Sequence, residues 1–271
     1  MNPLSRILTP LALLARWTGA FFITLTRDLC LLLSVVAWVA WKTMLPSTWR
    51  RPVRVELVRQ IYHSGVVTLR PVAVIAVFAG IGVFFQLVRI AGGAGQVELT
   101  RGMLVVILAG YAGPLLAALL VIGRSGTAII GELAAMRQSR QIDMLDAQGI
   151  DSFDYVIVPR VIALTISVPL LTVAFIVLTL IVGHAGAVMF GVAQESPLSF
   201  INKVLVQMTP RVYANAALKS VLSGFFVGGM ACMTDFRATE SANQTPRLLP
   251  MGFVRCTTIV FTITALVSTL I

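Results

Sequence analysis

Two long runs without a single charged residue constrain this chain more than any other feature. Residues 103–123 and 161–183 contain no Asp, Glu, Lys or Arg, and each is as long as the roughly 20 apolar residues that a helix needs to cross a bilayer. With 58% of its 271 residues hydrophobic and only 12% charged, the chain lacks the polar surface of a soluble domain. The sequence therefore predicts an all-α, polytopic membrane protein.

Three further segments complete a set of five predicted spans. Residues 71–88 follow Arg70 directly, and residues 212–234 are long enough but contain Lys219. The run 256–271 is short, so we expect this span to begin nearer Leu249 and to include Arg255.

The first 45 residues are apolar and rich in Trp, but charged residues interrupt them. This mixture is typical of a helix lying at the membrane interface. A sixth, tilted span over residues 29–41 is the alternative, so residues 17–45 either cross the membrane or lie on it. Residues 47–60 form a basic connector. We therefore divide the chain into an N-terminal interfacial region with its connector, 1–62, and a membrane domain, 63–271.

The distribution of Lys and Arg predicts the orientation. With the N-terminus in the cytoplasm, residues 1–63, 124–160 and 235–255 hold fifteen of them, against four at residues 89–101 and 190–211 on the other side. Because cytoplasmic loops are enriched in Lys and Arg, the N-terminus is expected inside and the C-terminus outside. The charge of +10 is scattered among apolar runs, so a nucleic-acid partner is not indicated.

The charged stretch RQIDMLDAQGIDSFDYVIVPR, residues 140–160, lies between two spans on the predicted cytoplasmic side. Apolar residues continue at helical spacing from the second span through Met136, a polar run follows, and Ile142 and Leu145 resume the stripe beside Asp143. Gly149 is a natural helix terminator. The pattern predicts a cytoplasmic amphipathic segment over about 129–149, which either docks in a groove of another protein or lies on the lipid headgroups.

Residues 123–163, GRSGTAIIGELAAMRQSRQIDMLDAQGIDSFDYVIVPRVIA, resemble the signature region of the MlaE/YrbE family of ABC-transporter permeases. The family pattern runs approximately GRxGxAxxAELGxMxxxEQIDALxxMGxDPxxYLVxPRxxA. The matching positions are Gly123, Arg124, Gly126, Glu132, Leu133, Met136, Gln141, Ile142, Asp143, Leu145, Gly149, Asp151, Tyr155, Pro159 and Arg160. Weaker similarity extends over most of the chain, including LVRQIYHSGV, GPLLAALL and LKSV.

The resemblance implies a permease domain over 63–271 that works as a homodimer in the bacterial inner membrane. It implies a cytoplasmic ABC ATPase and an MCE-domain protein as partners, with a small STAS-type subunit as an optional one. The substrate would be a phospholipid or another hydrophobic molecule moved between membranes. ATP and Mg would belong to the ATPase, and no cofactor is expected in this chain.

The resemblance also implies that the segment 129–149 is the coupling helix. It makes Glu132, Met136, Arg140, Ile142 and Asp143 candidates for the ATPase contact. Arg140 stands where the family has Glu, which indicates that this contact has changed.

Lys219 is the sharpest polar feature inside a span. A charge there costs roughly 2.5–3.5 kcal/mol on insertion scales, so it usually faces a cavity or a partner; the alternative is that it snorkels to an interface. Ser220, Gly224 and Gly228 form a small-residue stripe beside it that permits close helix packing. The family's lysine at this place lies near the lipid cavity, so the candidates for the lipid path are Lys219, Tyr111, Phe84, Phe85 and Arg247. Gly110 and Tyr111 replace an Arg-Glu pair of the family, and only Arg247 can be placed on its GxGRAT arginine.

Nothing in the sequence indicates catalysis. No G-x-x-x-x-G-K-[ST] nucleotide motif is present, and His63, His184 and the three cysteines are too scattered to predict a metal site. A non-transporting scaffold subunit is the alternative function. A secondary transporter would be expected to have inverted repeats and several intramembrane ionisable groups, and the sequence shows neither.

Overall fold

The computed structural model describes residues 30–91, 106–190, 209–236 and 245–270, with the isolated positions 27, 199, 202 and 206. The regular structure in these ranges is helical. In chain order the helices are α1 Cys30–Met44, α2 Arg51–Ile61, α3 Val67–Ala91, α4 Gly113–Val121, α5 Thr127–Gln138, α6 Gln141–Ala147, α7 Val158–Met189, α8 Pro210–Phe236 and α9 Thr245–Leu270.

Five helical stretches in these ranges are long and apolar enough to cross a membrane, which confirms the predicted fold class. They are Arg51–Gln86, Leu108–Gln138, Phe153–Met189, Pro210–Thr234 and Leu249–Leu270, and we call them the first to fifth spans. The fifth lies within α9, Thr245–Leu270, and includes Arg255, as predicted. Over its described residues, helix α1 is apolar but shorter than these five. Most of residues 17–29 lie outside the described residues, so the choice between an interfacial helix and a sixth crossing stays a prediction.

The third span lies at the centre of the bundle and packs against the first, second and fourth spans. Glycines bring these helices into backbone contact. A methyl group built on Gly224 would lie 2.6 Å from the carbonyl oxygen of Leu164, and one on Gly228 would lie 2.9 Å from Cα of Val161. The small-residue stripe predicted beside Lys219 is thus the surface on which the fourth span meets the third.

Four π-helical turns interrupt the described helices, at Tyr62–Val66, Leu108–Ala112, Ile122–Gly126 and Phe153–Ile157. Such turns are rare and occur often at functional sites, because the extra residue frees backbone groups and re-aims side chains. The second and the fourth turn contain residues of the candidate sites described below.

The predicted amphipathic segment over 129–149 is two helices rather than one. Helix α5 continues the second span and ends where Arg140 adopts a left-handed conformation with φ of 53°. Helix α6 then runs only from Gln141 to Ala147. Its end at Gly149, with φ of 75°, is a Schellman motif in which the N–H groups of Gly149 and Ile150 donate to the carbonyls of Asp146 and Leu145.

Candidate functional site

A cavity of about 790 Å³ opens at the end of the bundle that carries α6. We call it the α6 cavity. Its walls come from α2, α5, α6 and the start of the third span. They include the side chains of Glu56, Gln60, Glu132, Met136, Met144 and Arg160. Two sequence-predicted coupling residues, Glu132 and Met136, therefore lie together on this cavity.

Arg160 is a cation in the wall of the cavity and is only 5% exposed. Its Nη1 donates to the carbonyl of Val156 at 2.7 Å, and its Nη2 donates to Oε2 of Glu132 at 3.2 Å. The same Nη2 lies 3.8 Å from Sδ of Met136. The side chain of Glu132 is 55% exposed. In this ion pair the carboxylate therefore faces solvent, whereas the guanidinium of Arg160 is inside the protein.

The other three coupling candidates lie on α6 or just before it. Ile142 is half-buried, whereas Asp143 is exposed on the first turn. Arg140 is exposed and immediately precedes the helix. No residue of α6 is buried. A short helix that packs on the bundle through Leu145, leaves Ile142 half-buried and exposes its remaining side chains suits a contact with another protein or with headgroups.

The turn that follows α6 is held on two sides. Oδ1 of Asp146 accepts a hydrogen bond from the Ser152 N–H at 3.2 Å, and Oδ1 of Asp151 accepts one from the Phe153 N–H at 3.0 Å. From α1, Nζ of Lys42 lies 2.8 Å from Oδ2 of Asp154 and 3.5 Å from Oδ2 of Asp151. The hydrogen bond to Asp154 outweighs partial burial and raises the pKa of the Lys42 ammonium above its usual value.

Lys219 is fully buried inside the chain, with 0% exposure. Its Nζ donates to the carbonyl oxygen of Gly110 at 2.9 Å and lies 4.0 Å from the centroid of the Tyr111 ring. The π turn Leu108–Ala112 makes this arrangement possible, because it contains both Gly110 and Tyr111. The ammonium is therefore held inside the bundle, and the geometry does not favour snorkelling.

A second polar side chain lies one helical turn before this lysine. Asn215 is 9% exposed, and its Oδ1 has no hydrogen-bond partner in the described part of the chain. Residues four apart share a helix face, so Asn215 and Lys219 present two polar groups on one side of the fourth span. Tyr111, which covers the ammonium, is itself 45% exposed.

The remaining lipid-path candidates lie elsewhere or outside the described side chains. Phe84 is buried, with its ring 5.1 Å from that of Phe190. A methyl group built on Gly186 would be 3.0 Å from its ring, so Phe84 packs the first span on the third. Phe85 is exposed. Arg247 lies in α9, and its side chain is outside the described set.

Comparison with known proteins decides the family. The family profile described as Permease MlaE matches residues 57–270, a range that covers nearly the whole membrane domain. The chain belongs to the MlaE permease family.

This MlaE permease family member is similar in sequence to proteins from several organisms. A probable ABC transporter permease protein of Rickettsia prowazekii is 25% identical over 70% of this chain and 73% of its own length. The chloroplastic protein TRIGALACTOSYLDIACYLGLYCEROL 1 of Arabidopsis thaliana is 26% identical over 68% of this chain and 52% of its own. The intermembrane phospholipid transport system permease protein MlaE of Haemophilus influenzae is 34% identical over 44% and 46%.

Three positions in this MlaE permease were not among the predicted site residues but belong to the sites that the structure assembles. Arg160 is a lone cation at the start of an otherwise apolar span, and that position could have identified it. Asn215 lies four residues before Lys219, a spacing that predicts a shared face. Lys42 carried no signal, because no pattern in the sequence brings it to Asp154.

Proposed function

We propose that this chain is the membrane-spanning subunit of an ABC-type transporter that moves phospholipids between membranes. It works as a homodimer in a bacterial inner membrane with its N-terminus in the cytoplasm. A separate ATPase binds ATP and Mg, and an MCE-domain protein receives or delivers the lipid on the other side. The observation that carries this proposal is the Permease MlaE match over residues 57–270, supported by a relative named for intermembrane phospholipid transport.

Purification of the tagged chain from its own membranes tests this assignment. We expect an ATPase and an MCE-domain subunit to co-purify, and mass spectrometry of the complex to detect bound phospholipid. The complex reconstituted in proteoliposomes should transfer a fluorescent phosphatidylglycerol tracer only when ATP is supplied. A complex that assembles with the ATPase but transfers no lipid would instead support the scaffold function.

The α6 end of the bundle is our proposed site for the ATPase. Most side chains of helix α6 are exposed and none is fully buried, and the α6 cavity beside it offers a mixed apolar and charged wall to an incoming side chain. Short helices with an apolar stripe and flanking charges are a common means of docking into a groove. The same end carries most of the Lys and Arg residues that predict the cytoplasmic side.

Charge changes at this end should release the ATPase. We expect the double variant Asp143→Lys with Met136→Asp to stay in the membrane but to retain little ATPase in a pull-down. Met189→Asp is the matched control, because it places a carboxylate at an exposed methionine at the opposite end of the third span. Equal ATPase retention by both variants would argue against this docking site.

The Lys219 group is our proposed contact for an anionic headgroup. A lysine is a compact point charge that suits phosphate, and Tyr111, whose ring covers the ammonium, is itself 45% exposed. To meet a phosphate, the ammonium would exchange the Gly110 carbonyl for a phosphate oxygen. Neutral acceptors make that exchange easier than a carboxylate partner would.

Removal of the charge tests the headgroup contact. Lys219→Met should assemble with the ATPase but carry less bound anionic lipid and transfer less of it. Arg211→Met is the control, since Arg211 is an exposed cation two turns earlier on the same helix. If the Lys219→Met variant kept the lipid occupancy and transfer rate of the wild type, Lys219 would serve only to join the second and fourth spans.

A further inference from the structure

Helix α1 contacts two elements whose movements have to be coordinated in a transport cycle. On one side it packs on the fourth span, since a methyl group built on Gly229 would lie 3.1 Å from Cγ2 of Val36 and 3.5 Å from Cδ1 of Leu32. On the other side it reaches the turn that follows α6. The fourth span carries Lys219, whereas the turn continues directly from the proposed ATPase-docking helix.

The contact with the turn has an ionic and an aromatic part. Lys42 binds Asp154 and Asp151 as described above, and the side chains of Lys42 and Asp154 are only 18% and 21% exposed. Partial burial reduces the screening that makes fully exposed pairs weak. Four residues before Lys42, the ring of Trp38 meets that of Phe153 edge to face, with centroids 6.5 Å apart and an interplanar angle of 86°.

Hydrogen bonds also join the turn to α6 itself. The carboxylate of Asp146, near the end of α6, holds the Ser152 N–H, and Asp151 holds the next N–H along the chain. These bonds link the end of α6 to the segment that carries Asp151 and Asp154, the two carboxylates that bind Lys42. A continuous set of polar and packing contacts runs from α6 through the turn and α1 to the fourth span.

We propose that Lys42 is a positioning residue for coupling, which ties the membrane-surface helix α1 to the turn after α6 so that a movement of α6 reaches the fourth span. This inference rests on the proposed transport function. A measurement distinguishes this role from a purely structural one. A contact that only stabilises the structure affects how much complex forms, whereas a coupling contact affects how much lipid is moved for each ATP hydrolysed.

The test compares that ratio in the intact complex with its ATPase. Proteoliposomes of phosphatidylethanolamine and phosphatidylglycerol carry a fluorescent phosphatidylglycerol tracer, and lipid transfer and phosphate release are measured together. We expect Lys42→Met to assemble and hydrolyse ATP but to transfer about two- to thirtyfold less lipid per ATP, the range for residues that carry coupling between sites. Arg54→Met, at an exposed cation with no carboxylate partner among the described residues, should keep the wild-type ratio.

A charge exchange separates coupling from simple loss of a side chain. Lys42→Asp combined with Asp154→Lys should recover much of the ratio lost in either single variant. A wild-type ratio in Lys42→Met would overturn the inference. If Lys42→Met does not assemble, Asp151→Asn combined with Asp154→Asn serves instead, because the amides keep the size of both side chains and remove both charges that bind Lys42. An unchanged ratio in that double variant overturns the inference equally. Absence of ATP-driven transfer in the wild-type complex would be a failure of the proposed function.

Discussion

Two buried cations in this protein are held in different ways. Arg160 lies on the α6 cavity and pairs with a carboxylate, Glu132, whose side chain is more than half exposed. Lys219 lies inside the fourth span and is held by neutral groups, the carbonyl of Gly110 and the face of Tyr111. Within the described residues no carboxylate pairs with Lys219.

The difference follows from what lies around each charge. At the cavity, water keeps the free side of Glu132 solvated, so the pair requires the burial of little more than one ion. Inside the bilayer an ion pair would require two charges to lose their water, which costs several kcal/mol for each. A π turn offers a carbonyl instead, at the cost of a local change in helix geometry. The chain thus holds one buried cation with neutral partners and the other with a carboxylate.

Reversal of the charge at position 219 should have the largest effect. Lys219→Glu places a carboxylate against the Gly110 carbonyl and the electron-rich face of Tyr111, both of which repel a negative charge. We expect destabilisation of about 3 kcal/mol or more, typical of an uncompensated buried charge. Fluorescence-detected gel filtration of solubilised membranes and the Tm in detergent would measure it.

Lys219→Met is the matched control for that reversal, because it keeps the length of the side chain and removes the charge. Its folded yield should approach that of the wild type, although the Gly110 carbonyl loses its donor. If the Glu and Met variants folded equally well, the site around Lys219 would be open to water, and the contrast with Arg160 would disappear.

The second prediction concerns the helix contact that keeps Lys219 enclosed. In Gly224→Ala the new methyl group would lie 2.6 Å from the carbonyl oxygen of Leu164, and a backbone atom cannot yield without separating the third and fourth spans. We expect a loss of about 2 kcal/mol, within the range for overpacked cores, seen as a lower Tm. Gly82→Ala, where nothing lies within 4 Å of the new methyl group, should leave the Tm unchanged or raise it. Equal shifts would mean that the two spans are not in backbone contact.

Much of this architecture follows directly from the sequence. The five spans and the small-residue stripe are visible there, because the bilayer imposes length and apolar composition, and close helix packing requires small side chains. Gly149 ends α6 for a similarly local reason, since glycine adopts positive φ at little cost.

The contacts of the two cations could not be predicted in the same way. The bond from Lys219 to Gly110 depends on a π turn in another span, and the sequence GYAG reads equally well as regular helix. The break before α6 was missed because a left-handed residue at a helix end is usually Gly, whereas here it is Arg140. The ion pair of Lys42 joins residues more than a hundred positions apart, and neither periodicity nor spacing carries that information.

The third prediction concerns the ion pair between Arg160 and Glu132 on the α6 cavity, which can be broken by replacing either residue. Glu132→Ala leaves Arg160 buried with the Val156 carbonyl and the weak acceptor Sδ of Met136, whereas Arg160→Met leaves a carboxylate that is already exposed. We therefore expect Glu132→Ala to lower stability more, by between about 1 and 2 kcal/mol, the scale of an unsatisfied buried donor. Tm measurements on the two variants decide the order. The Tm of Glu132→Gln, which keeps an acceptor, should lie between those of Glu132→Ala and the wild type. A larger loss of stability in Arg160→Met would contradict the assignment of Arg160 as the buried ion of the pair.

The smallest predicted effect concerns the backbone before α6. Arg140 has φ of 53°, a conformation that costs an ordinary L-residue roughly 1 kcal/mol and glycine very little. Arg140→Gly should therefore raise the Tm slightly while α6 keeps its place. Gly149→Ala, at φ of 75°, is the reciprocal change and should lower the Tm by a similar amount. A pull-down of the ATPase then separates the two properties of Arg140. Retention of the ATPase by Arg140→Gly would show that position 140 serves only to turn the chain. Loss of the ATPase from a variant that is more stable than the wild type would show that the guanidinium itself is part of the contact, and that this chain accepts backbone strain to place it there.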